Sequence, residues 1–199
     1  MVKNMSARHD VIAAKRQLRK ETLACRDAIP LCERIEKSRH ICEMILQMEC
    51  YRQADALLAY VDYQSEVITK PLLEAALLEG KPVFVPKVEG EEMAFYQITD
   101  LSELVEGYKG IREPAGGRAF DRQAKEAFIL MPGAVFDKHR HRIGYGKGFY
   151  DRYIAHLAQM EVDFHLVALG FSCQVLEEIP YEEHDIRLDM IMTEEGIYE

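Results

Sequence analysis

Apolar residues recur at helical spacing early in the chain and gather into short runs later. Val11, Ala14, Leu18, Thr22 and Cys25 predict an amphipathic helix over residues 11–25. Pro30 ends that run. Ile35, Ile41, Ile45 and Met48 mark the apolar side of a second helix. The rhythm then changes. Ala56-Leu57-Leu58-Ala59-Tyr60-Val61 reads as a buried strand. A helix over residues 66–79 follows, with Ser65 as its cap and Gly80 as its natural stop. Val83-Phe84-Val85 is a short strand stopped by Pro86, and residues 93–98 form another. Residues 107–122, rich in Gly, Pro and charge, read as an ordered loop. A strand at 128–131, a helix at 150–160 and late strands at 166–169 and 189–193 complete the series. Strands alternating with helices predict an α/β fold: three layers, a mainly parallel central sheet with helices on both faces. Ligands of such sheets bind at the carboxyl ends of the strands.

Between the 128–131 strand and its helix lies Arg142-Ile143-Gly144-Tyr145-Gly146-Lys147-Gly148-Phe149-Tyr150-Asp151. Glycine lets a backbone turn sharply and approach a ligand. A helix N-terminus presents free N–H groups that suit a phosphate. The spacing is neither the Walker pattern nor the dinucleotide GxGxxG. A plain strand-to-helix turn is the competing reading. Charge argues against it: from Asp137 to Arg152 five cations face two carboxylates, in a chain of net charge −9. A basic pocket in an acidic protein suits a small polyanion. The acidic remainder would repel nucleic acid.

The 199 residues suit one domain, with residues 1–10 a candidate flexible N-terminal extension. The sequence holds no apolar run of membrane-spanning length and no apolar signal core, so a cytoplasmic protein is expected. Five cysteines without CxxC spacing read as free thiols and argue against zinc. Nothing in the chain requires more than a monomer, and it does not set an oligomeric state.

Other residues leave two readings open. Lys15 and Arg19 share a helix face, and the pattern alone favours a solvated basic surface over a phosphate clamp. Glu66 suits a helix first turn, yet a carboxylate at a strand end can also hold the amino and ring N–H groups of a heterocycle. Asp151 and Asp185 are candidate magnesium ligands, or a first-turn acid and a surface charge. His139 and His141, crowded by cations, read as loop residues near phosphate rather than metal ligands.

In order along the chain, Lys15-Arg16-Gln17-Leu18-Arg19, Ser65-Glu66-Val67, Glu79-Gly80-Lys81-Pro82-Val83, Gly110-Ile111-Arg112-Glu113-Pro114, Met131-Pro132-Gly133-Ala134-Val135-Phe136-Asp137, the glycine loop and His184-Asp185-Ile186-Arg187-Leu188-Asp189 resemble the 5-formyltetrahydrofolate cyclo-ligase family. The resemblance implies an ATP- and magnesium-dependent closure of 5-formyltetrahydrofolate to 5,10-methenyltetrahydrofolate, releasing ADP and phosphate. It implies that Lys15, Arg16, Gln17, Leu18 and Arg19 bind ATP, together with residues 142–150, and that Lys15, Arg19, Arg142 and Lys147 act in catalysis. Val61, Glu66, Tyr145, Gly146, Lys147, Gly148 and Phe149 would bind the folate. Asp151 and Asp185 would hold Mg2+. Three departures stand out: Arg140 where the family usually has Gly, Phe149 for a common Tyr, and a longer N-terminus. Arginine would strain a turn that needs positive φ at position 140. A non-catalytic folate- or nucleotide-binding relative is the alternative. Keeping Lys15, Arg19, Glu66, Asp151 and Asp185 together favours the enzyme.

Overall fold

The structure, a computed structural model, describes residues 2–121, 124–160, 162–182 and 185–199, apart from the side chains of residues 2–10. Three helices come first: α1 (Val2–Asp27), α2 (Leu31–Gln47) and the short α3 (Glu49–Gln53). Strand β1 (Ala56–Leu58) and helix α4 (Lys70–Leu78) lead to a hairpin of β2 (Val83–Glu89) and β3 (Glu92–Ile98). Within 107–122, read as loop, β5 (Arg112–Pro114) pairs antiparallel with β4 (Leu104–Glu106); Arg122 lies outside the described residues. Then come β6 (Glu126–Met131), β7 (Val135–Asp137), β8 (Arg142–Ile143) and helix α5 (Phe149–Gln159). Strands β9 (Asp163–Leu169), β10 (Val175–Leu176), β11 (Met190–Thr193) and β12 (Gly196–Tyr198) finish the chain.

Seven strands form the main sheet in the order β12-β11-β9-β6-β1-β2-β3. Its five inner strands are mutually parallel, and only the edge strands β3 and β12 pair antiparallel. Successive side chains of a strand face opposite ways, and the core divides accordingly. Leu57, Phe128, Leu130 and Val167 pack with Ile41 and Ile45 of α2, Tyr51 of α3 and Leu72 and Leu73 of α4. Leu58, Ala127, Ile129 and Leu166 pack on the other face with Ile154 and Leu157 of α5. The expected three layers are present. Ile35, read as apolar-side, is half exposed.

Three boundaries differ from the expectation. The strand read over residues 56–61 stops at Leu58, and residues 59–61 continue past the sheet toward the site. The helix read over residues 66–79 begins only at Lys70. Pro71 explains this: a helix through Val67 would need an N–H that Pro71 lacks. The C-terminal stop is as expected, with Gly80 at φ 74° and Gly80 and Lys81 donating to Leu77 and Ala76. Pro86 does not end β2, which continues to Glu89. The Phe120 N–H donates to the Phe95 carbonyl on the far side of β3, so Phe95 and its partner Pro86 form a non-hydrogen-bonded pair. Pro86 therefore deprives β3 of no donor.

Helix α1 does not follow the stripe Val11, Ala14, Leu18, Thr22, Cys25: Ala14 and Cys25 are exposed. Its Leu18 and Leu23 pack on Ala134, Val135, Ile143 and Ile179, around a second, small sheet of β10-β7-β8.

Candidate active site

The glycine loop is entered from β8 of the small sheet and not directly from β6. It still lies at the carboxyl end of β6, because the Arg142 guanidinium reaches back to the Pro132 carbonyl (3.1 Å). Gly146 (φ 90°) and Gly148 (φ 66°) both adopt left-handed backbone, and Gly148 is the N-cap of α5. A side chain at either would strain the turn. The loop thus ends on the N-terminal N–H groups of α5, a natural anion seat.

A cavity of about 860 Å3 collects the site. All of Arg142, Ile143, Gly144, Tyr145, Gly146, Lys147, Gly148, Phe149, Tyr150 and Asp151 line it, as do Lys15, Arg16, Arg19, Val61, Glu66 and Asp185. Gln17 and Leu18 do not: the Gln17 side chain bonds Glu21 on the exposed face of α1, and Leu18 packs on the small sheet. His139 and His141 do not line it either. The His141 ring instead donates from Nδ1 to the Asp137 carboxylate (2.9 Å) and stacks on Tyr181 at 4.0 Å. His184 lies outside the described residues.

Two cations of the cavity, Lys15 and Arg142, are paired with carboxylates. Lys15 Nζ meets Asp185 Oδ2 at 2.5 Å and Glu182 Oε2 at 3.4 Å. Arg142 meets Asp151 Oδ1 at 2.6 Å, with the arginine side chain only 5% exposed and the aspartate 44%. Arg19 Nε donates to the Gly144 carbonyl (2.8 Å), tying α1 to the glycine loop. Cations and carboxylates of one site thus hold each other in place, and a phosphate or a divalent cation could exchange into either half. Asp151 and Asp185 both line the cavity and offer hard oxygens of the kind magnesium takes, one or two carboxylates together with phosphate and water.

Glu66 is not in a helix's first turn. Its carboxylate accepts from the Tyr63 N–H (3.0 Å) and from the Tyr145 hydroxyl. Burial pushes its pKa up, and the Tyr145 bond, the Tyr63 N–H and the Arg26 charge oppose that rise. Ser65 caps no helix. Its hydroxyl accepts from Arg26 Nε (2.9 Å) and donates to Asp27. Arg26, 3% exposed, also donates to the Tyr145 hydroxyl (2.7 Å). Sequence reasoning missed Arg26. A signal was present: Lys15, Arg19 and Arg26 lie at i, i+4 and i+11, along one stripe of α1.

Residues 11–194 match the 5-formyltetrahydrofolate cyclo-ligase family. The 5-formyltetrahydrofolate cyclo-ligase of Mus musculus is 28% identical over 195 residues, covering 94% of this chain and 96% of the mouse protein. That of Escherichia coli is 28% identical over 150 residues, covering 73% of this chain and 81% of its own. The solution structure of 5,10-methenyltetrahydrofolate synthetase from Aquifex aeolicus superposes with a TM-score of 0.80 at 31% identity, over 92% of this chain and 91% of that one. In fold, in order of motifs and over nearly its whole length, this chain belongs to the 5-formyltetrahydrofolate cyclo-ligase family, a family of ligases.

Proposed function

We propose that the protein closes 5-formyltetrahydrofolate to 5,10-methenyltetrahydrofolate at the expense of ATP, releasing ADP and phosphate. The observation that carries this reading is one cavity lined by the basic glycine loop, by Lys15 and Arg19, and by the Glu66 carboxylate. The first three suit a polyphosphate. Glu66 suits the adjacent amino and ring N–H groups of a pterin.

The chemistry needs what the cavity offers. A formamide oxygen is a poor leaving group. It attacks the γ-phosphorus, ADP departs, and the formyl carbon becomes an iminium-like phosphate. The neighbouring folate nitrogen adds to that carbon and releases its proton. Phosphate leaves, carrying away the oxygen. Such transfer depends on positioning and charge neutralisation. Lys15, Arg19, Arg142 and Lys147 supply charge, and the α5 N-terminus supplies N–H groups; Val61 and Phe149 border the folate. Asp151 and Asp185 would hold Mg2+, which neutralises phosphate charge when bound. No protein nucleophile is required, so no covalent enzyme intermediate is expected.

Among the described residues no helix is long and apolar enough to cross a membrane. We place the reaction in the cytoplasm.

The test mixes purified protein with 5-formyltetrahydrofolate, ATP and magnesium and follows the near-ultraviolet absorbance of the methenyl product. A rise that needs ATP and falls at least about a hundredfold in rate in Lys15→Ala or Arg142→Ala is expected. Folate binding without turnover would point to the non-catalytic relative.

A further inference from the structure

Arg26 is a buried cation outside the loop and outside the phosphate clamp. It lies at the head of two chains of hydrogen bonds, and both have a fixed direction. Guanidinium donates and cannot accept. A hydroxyl that accepts from Arg26 is left with its single proton to give elsewhere. Tyr145 takes the Arg26 bond at 2.7 Å and gives its proton to Glu66 Oε1. Ser65 takes the Arg26 bond at 2.9 Å and gives its proton to Asp27. The carboxylates at the far ends only accept, so both chains run from the Arg26 charge to an anion.

The consequence falls on Glu66. The charges that act on it are Arg26 from α1 and Asp62 from the segment after β1; the Tyr145 hydroxyl bonds it, and its own charge acts on Tyr60 and Tyr150. Burial favours the neutral acid. The Arg26 charge opposes it. A neutral Glu66 would itself carry a proton and lose its capacity to accept two N–H groups from a ligand. Tyr145 belongs to the glycine loop, so the same relay ties that loop to the acid.

Building on the functional reading above, we propose that Arg26 is a positioning residue for the folate: acting through Tyr145, it keeps Glu66 an ionised, doubly accepting anchor for the heterocycle's N–H groups. Arg26 acts at one remove and touches no reacting atom.

The test measures 5-formyltetrahydrofolate affinity by calorimetry, without ATP, across pH. In the wild type binding weakens as pH falls through the raised pKa of Glu66. Arg26→Gln should weaken binding about tenfold or more near neutrality, the scale of a lost charge-assisted hydrogen bond. It should also move the acid limb to higher pH. Arg26→Lys, which restores charge without the two-pronged fork, should return the limb toward its wild-type position. A purely structural role would lower affinity by the same factor at every pH, with no recovery of the limb in the lysine variant, and that result overturns the proposal. If Arg26→Gln does not fold, Tyr145→Phe removes the relay and leaves the Ser65 branch. It must shift the limb the same way, and an unmoved limb overturns the proposal. Wild-type protein that binds no folate sinks the functional reading; wild type that binds, with an unshifted Arg26→Gln, sinks this inference alone.

Discussion

Arg140 occupies left-handed backbone, at φ 70°, in the turn between β7 and β8. The turn is held from all sides. Asp137, fully buried, accepts from the N–H groups of His139, His141 and Ile179, and the Leu188 N–H donates to the Arg140 carbonyl. Those bonds over-determine the conformation and the arginine bears the strain. Its side chain recovers part of the cost by donating to the Asp189 carbonyl (3.0 Å). Arg140→Ala loses that bond and keeps the strain; Arg140→Gly loses the bond and the strain together. Glycine should exceed alanine in stability by about 1 kcal/mol in urea unfolding. Equal stabilities would mean that the turn relaxes in the alanine variant. Glu66 makes a second residue-scale case, with its pKa raised from 4.5 mainly by burial. A raised folded value adds stability that is full below 4.5 and lost as pH rises through the folded pKa. The stability of wild type relative to Glu66→Gln should therefore fall as pH rises from 4.5 toward neutrality. A difference that does not change with pH would show that burial leaves Glu66 unperturbed.

At the scale of elements, α4 shows how local chemistry sets both ends of a helix. Pro71 forbids an earlier start, and Gly80 closes the end with its N–H on Leu77 and that of Lys81 on Ala76. A Cβ at Gly80 would meet nothing within 4 Å, so only the positive φ opposes it. Gly80→Ala should cost about 1 kcal/mol in urea unfolding and leave turnover unchanged. A larger loss, or lost turnover, would mean that α4 moves. The late start of α4 has a functional result. Residues 59–69 leave the sheet as irregular chain, which frees Glu66 to face the cavity instead of lying on a helix. Helix α1 makes the opposite case. Its buried stripe carries Lys15, Arg19 and Arg26 because it covers the small sheet and the cavity, with little of the apolar face that a helix on the main sheet needs.

For the molecule as a whole, burial ranks the five thiols. Cys25 and Cys32 are exposed, whereas Cys42 is buried against α4 and its thiol is pushed up to about 12. Thiol labelling of native protein should modify Cys25 and Cys32 first and reach Cys42 only on unfolding. Early labelling of Cys42 would contradict the packing of α2 on the sheet. The layered fold itself was legible in sequence, because runs such as 128–131 and 166–169 and the helices between them are set by local periodicity and by apolar burial. The glycine loop was legible too, since its glycines and cations are contiguous. The short strands β7, β8 and β10 were not, because two or three residues carry no period and pair only with distant chain. Lys15 against Asp185, Arg142 against Asp151 and Arg26 through Tyr145 to Glu66 were equally hidden. Sequence by itself determined the layers, the family and the residue types of the site. Tertiary structure alone decided which charge meets which, because pairing depends on distances between segments up to 170 positions apart, and no local pattern records those.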